Sequence, residues 1–178
     1  MDTGLNREDA VEAGKIIFDD PLWIMFDAGN IDADNLIIEF GKRYPEYKDN
    51  IAEFIRHPER MPIPRPEVWD KIRTLKNKGY KIYLLSNYSE YLFSSHTAGA
   101  QFLEDIDGKL VSYMVHQVKP DRDIYESLLQ RFDLKPEECI FFDDRPENIQ
   151  AGEEVGIKGR IVESREGINN LLQELIDR

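Results

Sequence analysis

Apolar residues follow two different patterns along the chain, one before and one after a proline-rich stretch at residues 58–66. In the first part they recur at helical spacing, which predicts a series of amphipathic helices. These are a helix from Asn6 to about Phe18, a helical turn from Pro21 to Gly29, a helix that Asp32 caps and that ends before Pro45, and a helix over residues 47–57. We therefore predict a helical domain over residues 1–63.

After Pro66 the pattern changes to helices that alternate with short apolar runs. The runs predict strands at residues 80–85, 110–115, 139–142 and 160–162. Between them we predict helices from Pro66 to Gly79, after Ser89, after Lys119-Pro120, from Pro146 to Gly156, and near the C-terminus. This alternation is typical of an α/β fold with right-handed crossovers. We predict a Rossmann-like, mostly parallel sheet with flanking helices over residues 64–178.

Length and charge limit the functions that need to be considered. The 178 residues suffice for one domain, or one domain with a small insert, and the net charge of −12 argues against nucleic acid as a partner. No apolar run approaches the roughly 20 residues that span a bilayer, and the N-terminus does not resemble a signal peptide, so we expect a cytoplasmic protein with no membrane contact. The single cysteine, Cys139, is expected to be a small core residue.

Polar side chains lie at the predicted ends of three elements of the α/β region. Asp143 and Asp144 follow the run Cys139–Phe142, which we predict to be buried on both faces, and Ser86-Asn87 and Lys119 occupy similar positions. Ligands bind at the carboxyl ends of parallel strands. Adjacent carboxylates repel each other unless a cation or proton lies between them, and hard oxygen ligands suit Mg²⁺. The alternative is that the aspartates cap the next helix and that the other residues only form turns.

Taken together, these groups have the chemistry needed to hold a phosphate monoester. A hydroxyl group and a main-chain N–H can donate to phosphate oxygens, a lysine can neutralise charge, and carboxylates can bind the Mg²⁺ that shares the phosphate. The sequence therefore predicts a phosphate site with a magnesium ion. The expected ligand is a small phosphorylated metabolite.

The order of these motifs resembles the haloacid dehalogenase-like superfamily. The segments L-L-S-N, V-K-P-D and F-F-D-D-R-P-E-N are similar to its second, third and fourth motifs. The sequence from Trp23 to Gly29 and the helix after it resemble the helical cap of the phosphatase branch. The resemblance implies a Mg²⁺-dependent phosphatase whose reaction passes through an aspartyl-phosphate.

The resemblance also implies a role for each matching residue. Ser86 and Lys119 would be catalytic, with Ser86, the Asn87 main chain and Lys119 binding the phosphate. Asp144 would bind Mg²⁺ directly with Asp143 beside it, and the later polar position of this motif is Asn148.

The nucleophile of the family lies at the end of a first strand, and no such strand is evident here. In the family that strand lies between those that carry the second and fourth motifs, so we expect the core to lack the middle of its sheet. Asp27 follows an apolar run and resembles the missing motif, but its surroundings are helical in pattern. We expect instead that the strand with the nucleophile precedes this sequence in the intact protein, so that the chain is truncated or starts internally.

Two other families were considered for the same residues. Cys139 and Arg145 have the spacing of cysteine-dependent phosphatases, but the residues between them are bulky and acidic where small residues are needed. Receiver domains have an early acidic pair and a late lysine, the reverse of the order here. Two hypotheses remain: a phosphatase of small metabolites, with a sugar phosphate as one candidate, and a non-catalytic relative that binds a phosphorylated ligand or a protein partner. The sequence does not predict the oligomeric state.

Overall fold

The computed structural model describes residues 7–61 and 65–178, which form a mixed α/β structure that is mostly helical with small parallel sheets. The chain divides into two compact units. The first, called the helical unit, comprises Met1–Ile63, Asn87–Ala100 and Ser112–His116. The second, called the α/β unit, comprises Pro64–Ser86, Gln101–Val111 and Gln117–Arg178. The division into domains at residues 63 and 64 stays a prediction.

The helices predicted before the proline-rich stretch are present. Helix α1 spans Arg7–Asp19, α2 spans Pro21–Asp27, α3 spans Ala33–Arg43 and α4 spans Lys48–Arg56. Asp32 caps α3 as predicted, since its carboxylate accepts the main-chain N–H of Asn35 at 2.8 Å. The proposed cap of α1, Asn6, lies outside the described residues. Four side chains in the core of this unit have no exposed surface: Leu36, Phe40, Ile51 and Ile55.

The second part alternates between helices and strands. In chain order the elements are α5 (Pro66–Asn77), β1 (Tyr83–Ser86), α6 (Glu90–His96), α7 (Phe102–Asp105), β2 (Gly108–Val111), α8 (Ser112–Val115), α9 (Arg122–Arg131), β3 (Ile140–Asp143), α10 (Pro146–Glu154), β4 (Lys158–Ile161) and α11 (Arg165–Ile176). Gly79 and Gly156 follow α5 and α10 with φ values of 93° and 91°. Both glycines provide the left-handed turns that end these helices.

The strands form two separate parallel pairs. β1 pairs with β2, with Leu85 opposite Leu110, and β3 pairs with β4, with Phe141 opposite Gly159. Parallel pairing is confirmed, but the described strands form two two-stranded sheets where we predicted one. Within the described residues, therefore, β1 and β3 each have a strand partner on one edge only.

Two predicted strands have different bounds in the structure. The run predicted as a strand from Leu110 to Val115 is a strand only to Val111, and α8 begins at Ser112. A short apolar run cannot by itself distinguish a strand from a helical turn. The predicted strand at residues 80–85 begins at Tyr83, because Asp107 takes both main-chain hydrogen bonds of Ile82: its N–H donates to the Ile82 carbonyl, and its carboxylate accepts the Ile82 N–H.

The prediction that the run Cys139–Phe142 is buried on both faces is wrong. Cys139 and all three apolar residues of β3 are partly exposed. One face does contact apolar residues, because Ile140 and Phe142 pack against the cluster of Leu75, Leu172 and Leu175. Phe141 contacts the ring of Tyr125. A strand with a partner on one edge only leaves its side chains less covered than the centre of a wide sheet would.

One buried carboxylate joins two helices of the helical unit. Asp20 is 6% exposed and caps α2 by accepting the N–H of Leu22 at 2.8 Å. Arg43 donates to both of its oxygens, at 2.5 and 2.7 Å, and the Tyr44 hydroxyl donates at 2.8 Å. Burial alone would raise the pKa of Asp20, but the hydrogen bonds from Leu22, Arg43 and Tyr44 outweigh it and hold the pKa below its ordinary value.

Replacing this carboxylate tests how much it stabilises the helical unit. Asp20→Asn keeps a side chain that can cap α2 but removes the charge that pairs with Arg43. We expect the free energy of unfolding at neutral pH to fall by about 1–3 kcal/mol. The matched control, Asp32→Asn, changes an exposed cap that has no arginine partner and should have a smaller effect. Urea unfolding measures both values.

We expect Asp20→Asn also to change how the free energy of unfolding depends on pH. Because the folded state lowers the pKa of Asp20, its contribution is complete above the unfolded carboxyl pKa of about 3.9 and disappears as the pH falls through the folded value. The stability difference between the wild type and Asp20→Asn should therefore shrink in acid. A difference that stays constant from neutral to acidic pH would contradict this account.

Candidate functional site

A buried ion pair links the loop before α9 to the end of β3. Lys119 Nζ lies 2.5 Å from Asp143 Oδ2, and the two side chains are only 9% and 6% exposed. The same ammonium donates to the main-chain carbonyl of Leu85, in β1, at 3.3 Å. The structure thus brings together one predicted lysine and one predicted aspartate, and it places both beside the carboxyl end of β1.

Asp143 is surrounded by hydrogen-bond donors. Its Oδ1 accepts the N–H of Arg145 and the side-chain amide of Asn148, each at 2.9 Å, while Oδ2 accepts from Lys119. Burial alone would raise the pKa of Asp143, but the charge and hydrogen bond of Lys119 and these two donors hold it below its ordinary value. Asp143 is therefore ionised at neutral pH.

Asn148 and Asp144 differ sharply in their surroundings. Asn148 is 4% exposed. Its main-chain carbonyl accepts the hydroxyl of Tyr125 at 2.8 Å, and its side-chain amide donates to Asp143. Asp144 is exposed. Neither aspartate caps α10, because Arg145 occupies the cap position and no side chain accepts a cap hydrogen bond there. The capping alternative therefore does not explain the acidic pair.

Ser86 is the last residue of β1 and is partly buried. It follows Leu85, whose carbonyl accepts from Lys119, so the ammonium contacts the main chain one residue before Ser86. Asn87 comes next and begins the segment Asn87–Ala100, which belongs to the helical unit. The phosphate-binding roles of Ser86, Asn87 and Lys119 stay predictions.

The described residues supply only part of a magnesium site. No group of three or more histidine, cysteine, aspartate or glutamate side chains in this part of the chain is arranged to hold a metal ion. Asp143 is paired with Lys119, whereas the carboxylate of Asp144 is exposed. Because Mg²⁺ usually keeps several waters and takes one or two carboxylates, these residues fit a partial site to which a phosphate and a further ligand would contribute.

Two residues that resemble nucleophiles have surroundings that differ from those of the motifs they resemble. Asp27 is the last residue of helix α2 and does not end a strand, and its main-chain carbonyl accepts the hydroxyl of Ser112. Cys139 is partly buried, and burial raises the pKa of its thiol, whereas a nucleophilic cysteine needs a lowered pKa.

Sequence analysis did not identify Ser112. This serine is fully buried, and its hydroxyl contacts main-chain atoms of both Asp27 and Tyr88. The one signal in the sequence was a serine inside an apolar run, which we interpreted as part of a strand. A hydroxyl buried without water normally has hydrogen-bond partners, but the sequence does not show which ones.

The helical unit contains a cavity of about 600 Å³. Its lining includes the buried side chains of Phe26, Ile37 and Ile55 and the charged residues Asp32, Asp34, Arg56 and Glu90. This volume is within the range of small-molecule sites.

None of the helices in the described part of the chain has the length and apolar character that a membrane span requires.

Comparison with known proteins places these residues in a family context. The family model described as haloacid dehalogenase-like hydrolase matches residues 29–156. The sesquiterpene phosphatase astK of Aspergillus oryzae is 27% identical over 143 residues, which is 80% of this chain and 73% of that protein. The D-ribitol-5-phosphate phosphatase of Bacteroides thetaiotaomicron is 31% identical over 87 residues, which is 46% of this chain and 42% of that protein.

Solved structures show the same fold. A HAD-family enzyme from Bacteroides thetaiotaomicron, in complex with magnesium and inorganic phosphate, superimposes with a TM-score of 0.68 at 21% identity. The match covers 88% of this chain and 86% of that one. The fold of the chain is therefore HAD-like.

The ion pair is testable through stability. Lys119→Met keeps the length of the side chain but leaves the Asp143 carboxylate buried without its cation. We expect the free energy of unfolding at neutral pH to fall by about 3 kcal/mol or more. Adding Asp143→Asn should restore part of the loss, because the uncompensated charge is removed. Lys135→Met, which breaks the exposed pair with Glu138, is the control and should change stability little.

The way in which stability depends on pH distinguishes loss of the ion pair from loss of packing. In the wild type the lowered pKa of Asp143 means that the pair stabilises the fold above the unfolded carboxyl pKa and is lost in acid. Without Lys119, we expect burial to raise the pKa of Asp143. Protonation in acid then removes the uncompensated buried charge, so the variant is less destabilised at low pH. Urea unfolding over a pH series should show the deficit of Lys119→Met shrinking as the pH falls. A deficit that does not depend on pH would indicate packing alone.

Proposed function

The chain belongs to the haloacid dehalogenase-like hydrolase family, and we propose that it is the greater part of a Mg²⁺-dependent phosphatase of a small phosphorylated metabolite. The observation that carries the proposal is the ammonium of Lys119, held by Asp143 beside the carboxyl end of β1. A buried cation at the end of a parallel strand is suited to neutralise a phosphate. The phosphatase relatives and the phosphate complex of a structural neighbour support this choice.

Each residue would have a distinct task. Lys119 would donate to a phosphate oxygen and lower the charge that a nucleophile meets. The Ser86 hydroxyl and the Asn87 N–H would donate to the other oxygens, and Asn148 would keep Asp143 oriented toward the ammonium. Asp144, with Asp143 beside it, would hold Mg²⁺, which supplies positive charge to the phosphate when bound.

The nucleophile is not evident among the described residues, so we propose that a further strand supplies it. Its aspartate carboxylate would attack phosphorus while the bond from phosphorus to the alcohol oxygen breaks. Water would then cleave the acyl phosphate, releasing inorganic phosphate and restoring the carboxylate.

Three features of the α/β unit support a place for such a strand between β1 and β3. The two strands have their partners β2 and β4 on one edge each, and no described pairing joins them. The apolar side chains of β3 are only partly covered. Lys119 contacts both β1 and β3, at Leu85 and Asp143, so the carboxyl ends of the two strands meet at one ammonium. Unpaired edges of this kind accept an added strand readily.

We assign selectivity for the organic part of the substrate to the helical unit, because in the family selectivity rests with the cap that this unit resembles. A sugar phosphate remains one candidate. The second candidate function is binding of a phosphorylated ligand without turnover. The observation that favours it is that Asp27 lies at the end of a helix. Among the described residues, the acidic pair Asp143 and Asp144 is then the one set of aspartates at the carboxyl end of a strand, and we assign that pair to Mg²⁺.

The first test is binding of inorganic phosphate by the 178-residue chain, measured by isothermal titration calorimetry with and without Mg²⁺. We expect Mg²⁺ to tighten binding and Asp144→Asn to abolish that effect, because the carboxylate is the cation ligand. Asp123→Asn, which neutralises an exposed aspartate in the first turn of α9, is the matched control and should bind as the wild type does. No detectable phosphate binding by the folded chain would refute both functions.

Turnover is tested by adding a strand of the proposed kind. An apolar peptide of about six residues that ends in aspartate would be fused ahead of Met1 through a flexible linker. We expect release of phosphate from an aryl phosphate by this fusion and none by the chain alone. The same fusion ending in asparagine should bind phosphate without turnover. If the unfused chain is active and Asp27→Asn abolishes the activity, Asp27 is the nucleophile and the strand proposal falls.

A further inference from the structure

Tyr125, on α9, contacts α10 at two places. Its side chain has no exposed surface, and its hydroxyl donates to the main-chain carbonyl of Asn148 at 2.8 Å. Its ring lies beside Gly152, one turn further along α10, where a Cβ would come within 3.5 Å of Tyr125 Cε1. Burial, with the charges of Asp143 and Glu147, raises the pKa of the Tyr125 hydroxyl, which therefore stays protonated and able to donate at neutral pH.

The hydroxyl of Tyr125 leads to the buried ion pair through Asn148. The amide of Asn148 donates to Asp143 Oδ1 at 2.9 Å, and Asp143 Oδ2 accepts from Lys119. No side-chain cap bond fixes the start of α10, so bonds from outside the helix hold its first turn, to which Asn148 belongs. Tyr125 thus fixes the main chain of the residue whose side chain orients the carboxylate.

The ring of Tyr125 leads to the same ammonium by a second route. It meets the ring of Phe141 edge-on, with ring centres 5.7 Å apart and planes at 87°. Lys119 Nζ lies 5.4 Å from the centre of the Phe141 ring, a distance at which a cation is attracted to an aromatic face. Phe141 and Asp143 are two residues apart on β3 and therefore lie on the same face of the strand. Tyr125 consequently supports two groups that contact the ammonium.

We propose that Tyr125 is a positioning residue that holds the Lys119 ammonium in the orientation in which it binds phosphate. Its hydroxyl acts through Asn148 and Asp143, and its ring acts through Phe141. A cation that is already held in place binds an anion without first being ordered, whereas a mobile cation must be ordered when the anion binds. All five residues belong to the α/β unit. This inference rests on the proposed function, which assigns the phosphate to Lys119.

The test is the dissociation constant of inorganic phosphate in the presence of Mg²⁺, measured by isothermal titration calorimetry on the full chain. Tyr125→Phe keeps the ring and removes the hydroxyl. We expect the dissociation constant to rise about threefold to tenfold, because phosphate must then supply the ordering that one hydrogen bond supplied. Phe141→Leu, which removes the second ring, should weaken binding in the same direction. Tyr80→Phe removes the hydroxyl of an exposed tyrosine and should bind as the wild type does.

A spectroscopic measurement separates positioning from a general loss of stability. The ammonium signal of Lys119 in a proton–nitrogen correlation spectrum is assigned as the one that Lys119→Arg removes. Buried, hydrogen-bonded protons exchange slowly with water, and we expect Tyr125→Phe to speed the exchange of this signal in the absence of phosphate. Ser164→Ala removes the cap of α11, where the hydroxyl accepts the N–H of Gly167 at 2.9 Å. It should lower the urea midpoint without changing the Lys119 signal or the affinity for phosphate.

Each outcome has a definite meaning. Wild-type affinity in folded Tyr125→Phe overturns the positioning role and leaves the proposed function standing. A loss of affinity with an unchanged Lys119 signal also overturns it, as does an equal loss in Ser164→Ala. If Tyr125→Phe does not fold, the affinity and the Lys119 signal of Phe141→Leu decide in the same way. A wild-type chain that is folded but binds no phosphate overturns the proposed function, and this inference falls with it.

Discussion

The buried pair of Lys119 and Asp143 is the interaction on which the rest of the α/β unit depends. A buried carboxylate is costly without a cation, and a buried ammonium is equally costly without an anion. Here the ammonium also donates a hydrogen bond to the Leu85 carbonyl. One cation therefore contacts two strands that do not pair with each other. Under the proposed function, the ammonium that neutralises Asp143 is also the charge that a bound phosphate would use.

The helical unit depends on buried polar groups in a similar way. Asp20 joins the start of α2 to Arg43 and Tyr44, and Ser112 joins the end of α2 to Tyr88. Apolar packing is not directional, so it brings α2 against its neighbours but does not by itself fix the ends of so short a helix. Hydrogen bonds have preferred distances and angles, and they therefore decide where the turns at the two ends of α2 lie.

Local patterns predicted most elements because their causes are local. The caps at Asp32 and Ser89 and the left-handed glycines at 79 and 156 were found where the sequence placed them. The strand predicted to continue through Val115 was wrong after Val111, since a short, mostly apolar run is compatible with either conformation. The sequence also did not reveal that β3 is half-exposed, because burial depends on which strands lie beside it and that is not a local property.

The sequence by itself determined the alternation of helices and strands, the parallel pairing and the family, because periodicity, caps and ordered motifs are written in neighbouring residues. It also gathered Ser86, Lys119, Asp143 and Asp144 into one hypothesis of a phosphate site. Only the tertiary structure decided that Lys119 neutralises Asp143, that Asp144 is exposed and that Ser112 bridges Asp27 and Tyr88. These contacts join residues 24 to 85 positions apart, and a bond between distant residues is fixed by how the chain folds back on itself.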